Sequence, residues 1–540
     1  MGQKWKYWML GSALVETFLF SGCLLGWNSL NPILSQLGVL SGHCPADQKV
    51  PETWSNDSTG LLSHPTMVPT DPGSLPRKPL IICIPQERAL NIGFTLGCLF
   101  LGGTFLPLQL VVASVYLRSL RQIGGALVAV SCLMVVYSCT NPRGLSLFLP
   151  ASLLFMGVGG CCVLFTSLML PLSLGIASKS LYSSLVIGCF SASATVFTLI
   201  KALYIVGVPF VPLILGLGAM ACLMFLNSFF SWHLNRTENK AETMYSVQLR
   251  INCCEHKQEE PEKQELWQRS LRHQFRESLR DRERILSSRK VLSFRQKQGS
   301  GSEAPPLRRS LLRPLFVLHL FSDAVLLTWL HFYISSLNQH LRSVTDDQQR
   351  ADQFSSIFGS LQMLSLISAP LVALHRNQQI IKRERKRGEA DSGCVSQRLS
   401  LALILRILAV CGFGVSCLIP SLGVQVLGFI IHVIVRSSSF ILSTELFNYF
   451  FPATHFGALL GIYTVITSML TVSQYPLFLL LTGTLNGDPY WIHATFLGLS
   501  SCAVPVPLYL WIQRTKKNHH KPIVLRRANP SNKTHQLTKV

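Results

Sequence analysis

Long apolar stretches alternate with short polar joints along this chain, six on each side of one charged segment running from Asn235 to Arg308. A stretch of about 20 such residues crosses the ~30 Å hydrocarbon core of a bilayer only as a helix, because every backbone N–H and C=O must find its partner within the segment. The expected spans are 7–30, 89–112, 123–139, 145–169, 181–204, 209–231, 313–336, 353–374, 399–419, 423–447, 457–481 and 490–512. This pattern predicts an all-α membrane protein with twelve transmembrane helices in two six-helix lobes, the layout of a two-lobed transporter. The expected domains are an N-terminal lobe (1–231) with an ectoloop at 31–87, a charged cytoplasmic linker (232–312), a C-terminal lobe (313–512) and a basic cytoplasmic tail (513–540).

Composition agrees with that class: 49% of the 540 residues are hydrophobic and only 14% are charged. The net charge of +22 is carried by particular joints. Arg376, Lys382, Arg383, Arg385, Lys386, Arg387 and Arg398 crowd one of them, and the tail carries Arg514, Lys516, Lys517, Lys521, Arg526, Arg527, Lys533 and Lys539. Basic joints mark the cytoplasmic side, and an even number of crossings then puts the N-terminus there too, as Lys4 and Lys6 suggest. Lipid headgroups explain this charge, so membrane lipid is the expected partner and nucleic acid is not. The first apolar run contains Glu16 and has no small-x-small cleavage site, so it reads as a retained anchor.

Cys44 and Cys83 stand apart from the other cysteines, most of which lie inside spans. Both fall in the external 31–87 segment, where oxidation is permitted. A bridge between them would stabilise the loop by about 4 kcal/mol in the loop-entropy model; two free thiols are the alternative. Asn56 heads an N-glycosylation triplet in the same loop, whereas the triplets at Asn235 and Asn532 are cytoplasmic and should stay bare. In the central segment, Leu266, Leu271, Phe275, Leu279 and Ile285 recur at roughly helical spacing among charges. That pattern suits an exposed or membrane-surface helix, with Cys253-Cys254 as a palmitoylation candidate beside it.

Several stretches together resemble solute carrier family 43, the major-facilitator branch of system-L large-neutral-amino-acid transporters. They are ETFLFSGCLLGWNSL (16–30), GVGGCCVLFTSLMLP (157–171), Ile200-Lys201 followed by a Gly207-Val208 turn, SSIFGSLQMLSLISAP (355–370), GFGVSCLIPSLGVQVLGFIIHVIVR (412–436), FGALLG (456–461), QYPLFL (474–479) and GDPYW (487–491). The resemblance implies a major-facilitator fold and Na⁺-independent facilitated transport of leucine-like and phenylalanine-like amino acids, with no cofactor and no enzymatic step, at the plasma membrane. One branch of the family is associated with purine nucleobases, but 145–171 and 412–436 look closer to the amino-acid branch. The Gly-x-x-x-Asp-x-x-Gly-x-Arg motif common to major facilitators is reduced here to Gln109, Ala113, Tyr116 and Arg118, with Ala373 and Asn377 at its second-lobe counterpart. That loss weakens an inner latch and keeps a non-transporting scaffold in view as a third reading.

Ionisable residues inside spans are costly and face the bundle interior. Glu16 lies nine residues into the first span, about 14 Å from its inner edge. Arg436 lies about 10 Å from the inner edge of the tenth span. Similar depth on facing lobes makes them either a gate or substrate-orienting pair or two separate helix-packing anchors, with Asp323 as a competing partner for Arg436. An amino-acid carrier must also satisfy an ammonium and a carboxylate, for which Thr166, Ser167, Tyr333, Asn338, Ser437, Ser439 and Gln474 are candidate contacts. Gly157, Gly159 and Gly160 read as packing residues. Lys201 reads as a snorkelling cation and Trp27 as either a lid or an interfacial aromatic. His319, His331 and His432 read as histidines bonded between helices.

Overall fold

The computed structural model describes residues 3–44, 83–112, 115–142, 144–174, 179–232, 306–345, 347–371 and 392–519. Twelve helices there are long and apolar enough to cross a membrane: α1 (Lys4–Gln36), α2 (Ile84–Val111), α3 (Leu117–Thr140), α4 (Phe148–Pro171), α5 (Leu181–Val206), α6 (Phe210–Ser231), α7 (Pro314–Val344), α8 (Gln348–Leu371), α9 (Gln397–Leu418), α10 (Leu422–Phe450), α11 (Phe456–Thr482) and α12 (Tyr490–Gln513). The protein is a multi-pass, all-α membrane protein of major-facilitator type.

Local chemistry sets several helix ends. Pro314 occupies the first turn of α7, where its missing N–H costs nothing. The Asp347 carboxylate accepts from the backbone N–H groups of Gln349 and Arg350 at the start of α8. At the end of α5, Gly207 takes the left-handed φ of +113° and lets Val208 N–H reach back to the Leu203 carbonyl, the turn expected at Gly207-Val208.

Two spans overrun their expected ends. α1 continues past residue 30 to Gln36, and α7 runs to Val344, eight residues past the expected 336. Asn28, Ser29 and Asn31 end the apolar run in sequence, but all three are buried. Asn28 bonds to Ser355 of α8 and Ser29 to Thr198 of α5, so these polar residues face other helices and the helix continues. With α1 ending at Gln36 and α2 beginning at Ile84, the joint between them is shorter than the expected 31–87. Cys44 and Cys83 are disulfide-bonded at its two ends, with Cα atoms 6.0 Å apart. Asn56, the triplets at Asn235 and Asn532, Cys253-Cys254, the Leu266–Ile285 pattern, Ala113, Ala373 and Asn377 lie outside the described residues.

Within the first half, α3 packs on α4 and α6, α2 on α4, and α1 on α4 and α5. Within the second half, α9 packs on α10 and α12, and α7 on α8 and α11. The halves meet through α2 with α11, α5 with α8 and α10, and α1 with α7. Renumbering each helix to its counterpart six places along turns the α2–α11 contact into the α8–α5 contact. The interface is therefore arranged about a pseudo-two-fold axis, as an internal duplication requires.

Candidate functional site: buried charges and the seam between the halves

Glu16 does not face Arg436. Its carboxylate pairs with Arg121 of α3, which donates from both Nε (2.8 Å) and Nη2, and it accepts from Asn227 Nδ2 of α6 at 2.6 Å. Arg121 Nη1 also reaches Thr166 Oγ1 (2.9 Å) and Ser167 Oγ (3.0 Å) of α4, and the guanidinium lies 4.8 Å over the Trp232 ring. Thr17 Oγ1 closes the network onto Ser167 at 2.8 Å. Glu16, Thr166 and Ser167 are thus gathered by a fully buried arginine into a brace of the first half. Equal depth on two helices does not fix which faces they present, and the nearer cation took the carboxylate.

Asp323 is likewise not a partner of Arg436. It sits 2.8 Å from Arg406 Nη1 of α9 and accepts at 2.9 Å from both Ser443 Oγ of α10 and Tyr463 OH of α11. His319 Nε2 lies 3.0 Å from Ser443 Oγ and 3.4 Å from the carboxylate. The two braces are counterparts. Each joins an acid on the first helix of its half, an arginine on the third and a hydroxyl on the fourth. The pairings satisfy charges that would otherwise be stranded in a low-dielectric interior.

Polar contacts between the halves gather toward the ends of the spans that lie on the side of the Cys44–Cys83 bridge. Glu87 at the start of α2 accepts from Gln339 Nε2 of α7 at 2.7 Å and lies 3.5 Å from Arg342 Nη1. Arg88 Nε donates to Thr482 Oγ1 of α11 at 2.8 Å. Asn338 Nδ2 of α7 donates to the Asn28 carbonyl of α1 (3.0 Å), while Asn28 Nδ2 donates to the Ser355 carbonyl of α8 (2.9 Å) and Ser355 Oγ to Asn338 Oδ1 (2.8 Å). Deeper in, Gln474 Nε2 of α11 reaches Thr95 Oγ1 of α2 at 2.9 Å. Toward the opposite ends the halves meet differently. Ile187 of α5, Ala369 of α8 and Ile441 of α10 form one apolar cluster, flanked by Leu168 and Phe440. Phe105 of α2 packs edge-on to Phe440 at 6.3 Å, and Ser365 Oγ donates to the Gly188 carbonyl.

Arg436 lies midway along α10, in this seam. Its Nη2 donates to the Ser191 carbonyl of α5, and Ser437 beside it pairs with Ser368 of α8 at 3.1 Å. Tyr333 is instead enclosed in the second half, its ring within 6 Å of His340, His432 and His493. Ser439 bonds only back to the Val435 carbonyl of its own helix. His319 and His432 link α7 with α10, as expected, while His331 bonds within α7 to the Leu327 carbonyl.

Three other expectations resolve. A Cβ on Gly157 would sit 2.3 Å from the Gly97 carbonyl of α2 and one on Gly160 2.6 Å from the Ser21 carbonyl of α1, so these glycines, with Gly159 against α3, are packing residues. Trp27 is neither lid nor interfacial anchor, because it is buried and stacked on Phe94 of α2 at 5.3 Å. Lys201 does not snorkel; it is buried, on an α5 segment that packs against α1 and α8. Of the reduced motif, Arg118 lies 4.6 Å over the Phe229 ring of α6.

Sequence reasoning missed Arg121, Arg406, Asn227 and the Glu87–Arg342 latch. Arg406 carried a usable signal, an arginine inside SLALILRILAV. Arg121 did not, because the expected third span began after it. A separate apolar cavity of about 570 Å³, lined by Phe321, Leu477, Trp491 and neighbours, belongs to α7, α11 and α12 and touches none of these polar groups.

A twelve-span bundle of two similarly arranged halves, each braced internally and meeting along a polar and apolar seam, defines a membrane protein of the transporter class. No family model matches the chain. Over 95% of its length it is 29% identical to the large neutral amino acids transporter small subunit 3 of Mus musculus and 28% identical to that of Homo sapiens, covering 94% of each. It is 24% identical to the equilibrative nucleobase transporter 1 of Bos taurus, over 90% of this chain and 91% of that one. These end-to-end similarities bear out the resemblance to solute carrier family 43.

Proposed function

We propose that the protein is a facilitative transporter of large neutral amino acids such as leucine and phenylalanine, working by alternating access without sodium coupling at the plasma membrane. The observation that carries the mechanism is the seam itself. Two braced halves are held at their outer ends by side-chain bonds, Glu87 with Gln339 and Arg342 and Arg88 with Thr482, that a rocking motion can break and remake. Such contacts give two states a small free-energy gap, which a uniporter needs. The names of the relatives that match along nearly the whole chain support the substrate class.

Purified protein in proteoliposomes should take up labelled leucine and phenylalanine at the same rate in sodium and in choline buffer, and should not take up adenine. Adenine uptake without leucine uptake would move the protein to the nucleobase reading. Uptake of neither, under gradients of either sign, would leave a non-transporting scaffold.

A further inference from the structure

The apolar cavity of about 570 Å³ between α7, α11 and α12 falls within the size of small-molecule sites, roughly 300–1,000 Å³. It opens on the perimeter of the bundle, since Phe321, Leu470, Leu480 and Trp491 of its wall are 44–67% exposed. In a membrane-spanning bundle that perimeter faces hydrocarbon. The three hydroxyls of the wall are already engaged: Thr328, Ser473 and Thr495 each donate to a carbonyl of their own helix. An amino acid would find no partner there for its ammonium and carboxylate, so the chemistry of the wall suits a lipid.

Charge narrows which lipid. No lysine or arginine occurs between Arg436 and Arg514, a stretch that holds all of α11 and α12. Arg88, a cation that does reach α11, is bonded to Thr482 on the seam. The joint between α11 and α12 carries Asp488 instead. A phospholipid would bring a phosphate with no cation to meet it. A sterol brings one neutral hydroxyl, and Trp491 at the start of α12 is of the aromatic type that sits at headgroup depth. The fused rings of a sterol also lose less conformational freedom on binding than an acyl chain does.

The cavity also lies against a break in α11. That helix is interrupted at Val472-Ser473, between Phe456–Thr471 and Gln474–Thr482. Pro476, Leu477 and Leu480 of the second piece line the cavity, while Gln474 and Thr482 of the same piece bond Thr95 and Arg88 across the seam. We infer that the cavity is a sterol site, and that a bound sterol braces this short piece of α11 against α2. Binding stands apart from the transport reading. Its consequence for transport, a more firmly closed seam on the side of the Cys44–Cys83 bridge, rests on that reading.

Wild-type protein in phosphatidylcholine nanodiscs carrying a diazirine-labelled cholesterol analogue should crosslink chiefly within α7, α11 and α12, and unlabelled cholesterol should compete. Thr495→Trp and Leu480→Trp, which fill the cavity from exposed positions, should lower that crosslinking on the order of tenfold. Only variants that stay monodisperse are scored, and the wild-type crosslinking map stands if neither does. Added cholesterol should also slow amide exchange across 472–482 by a similar factor in the wild type and not in the filled variants. Crosslinks spread evenly over the lipid-facing helices, or unchanged in a folded filled variant, would overturn the site. Native mass spectrometry that retains phospholipid in place of cholesterol would give the cavity to an acyl chain and overturn it as well. Exchange indifferent to cholesterol would overturn the bracing. None of these readouts uses leucine uptake, so failure of the transport reading leaves them unchanged.

Discussion

Arg121 is fully buried and engages Glu16, Thr166 and Ser167, so its contribution should appear as stability. Arg121→Leu leaves the Glu16 carboxylate with only Asn227 and should cost about 3–5 kcal/mol, the penalty for an uncompensated buried charge. Adding Glu16→Gln removes that charge and should restore much of the loss. Thermal unfolding of the two single variants and the double variant in detergent would measure this, and strictly additive losses would break the assigned pairing. The same cycle on Asp323 and Arg406 should behave alike. These residues show where sequence reading stops. The cost of an ion in a bilayer singled out Glu16, Asp323 and Arg436 from the sequence. Which of them meet depends on the rotation of each helix about its axis, and in near-uniformly apolar spans such as α4 the pattern encodes that rotation poorly.

At the scale of the element, α7 runs eight residues past its expected end, and that added stretch carries Asn338, Gln339 and Arg342. Hydropathy ended it at residue 336 because polar residues follow; they are polar because they contact the other half. The twelve spans were legible, since bilayer thickness and backbone hydrogen bonding dictate them. Polar ends facing protein were not, because the sequence does not distinguish them from ends facing water. Glu87→Ala should loosen the outer end of α7. A cysteine replacing Thr95, buried at the seam, should then react with a membrane-impermeant maleimide on the order of tenfold faster, given ~1.5 kcal/mol or more per hydrogen bond to a charged group. Unchanged labelling would mean that Glu87 does not hold the outer end shut.

For the whole molecule, the two ends of the seam are made of different material. Separating the outer ends pulls the Glu87 carboxylate from the Arg342 guanidinium; separating the inner ends exposes Ile187, Ala369, Phe440 and Ile441 to water. The first event is sensitive to ionic strength, because dissolved ions screen the attraction being broken. The second carries a positive heat capacity, because apolar surface becomes hydrated, and its seal weakens on cooling. Added salt should therefore favour outward opening, whereas cold should favour inward opening and curve the temperature dependence of the inward-facing population. Sided thiol labelling across salt and temperature would register both, and two openings that responded identically to both variables would contradict the difference in their seals. A carrier built this way is rectified by its surroundings: the ionic medium sets the ease of one half-cycle and the temperature that of the other.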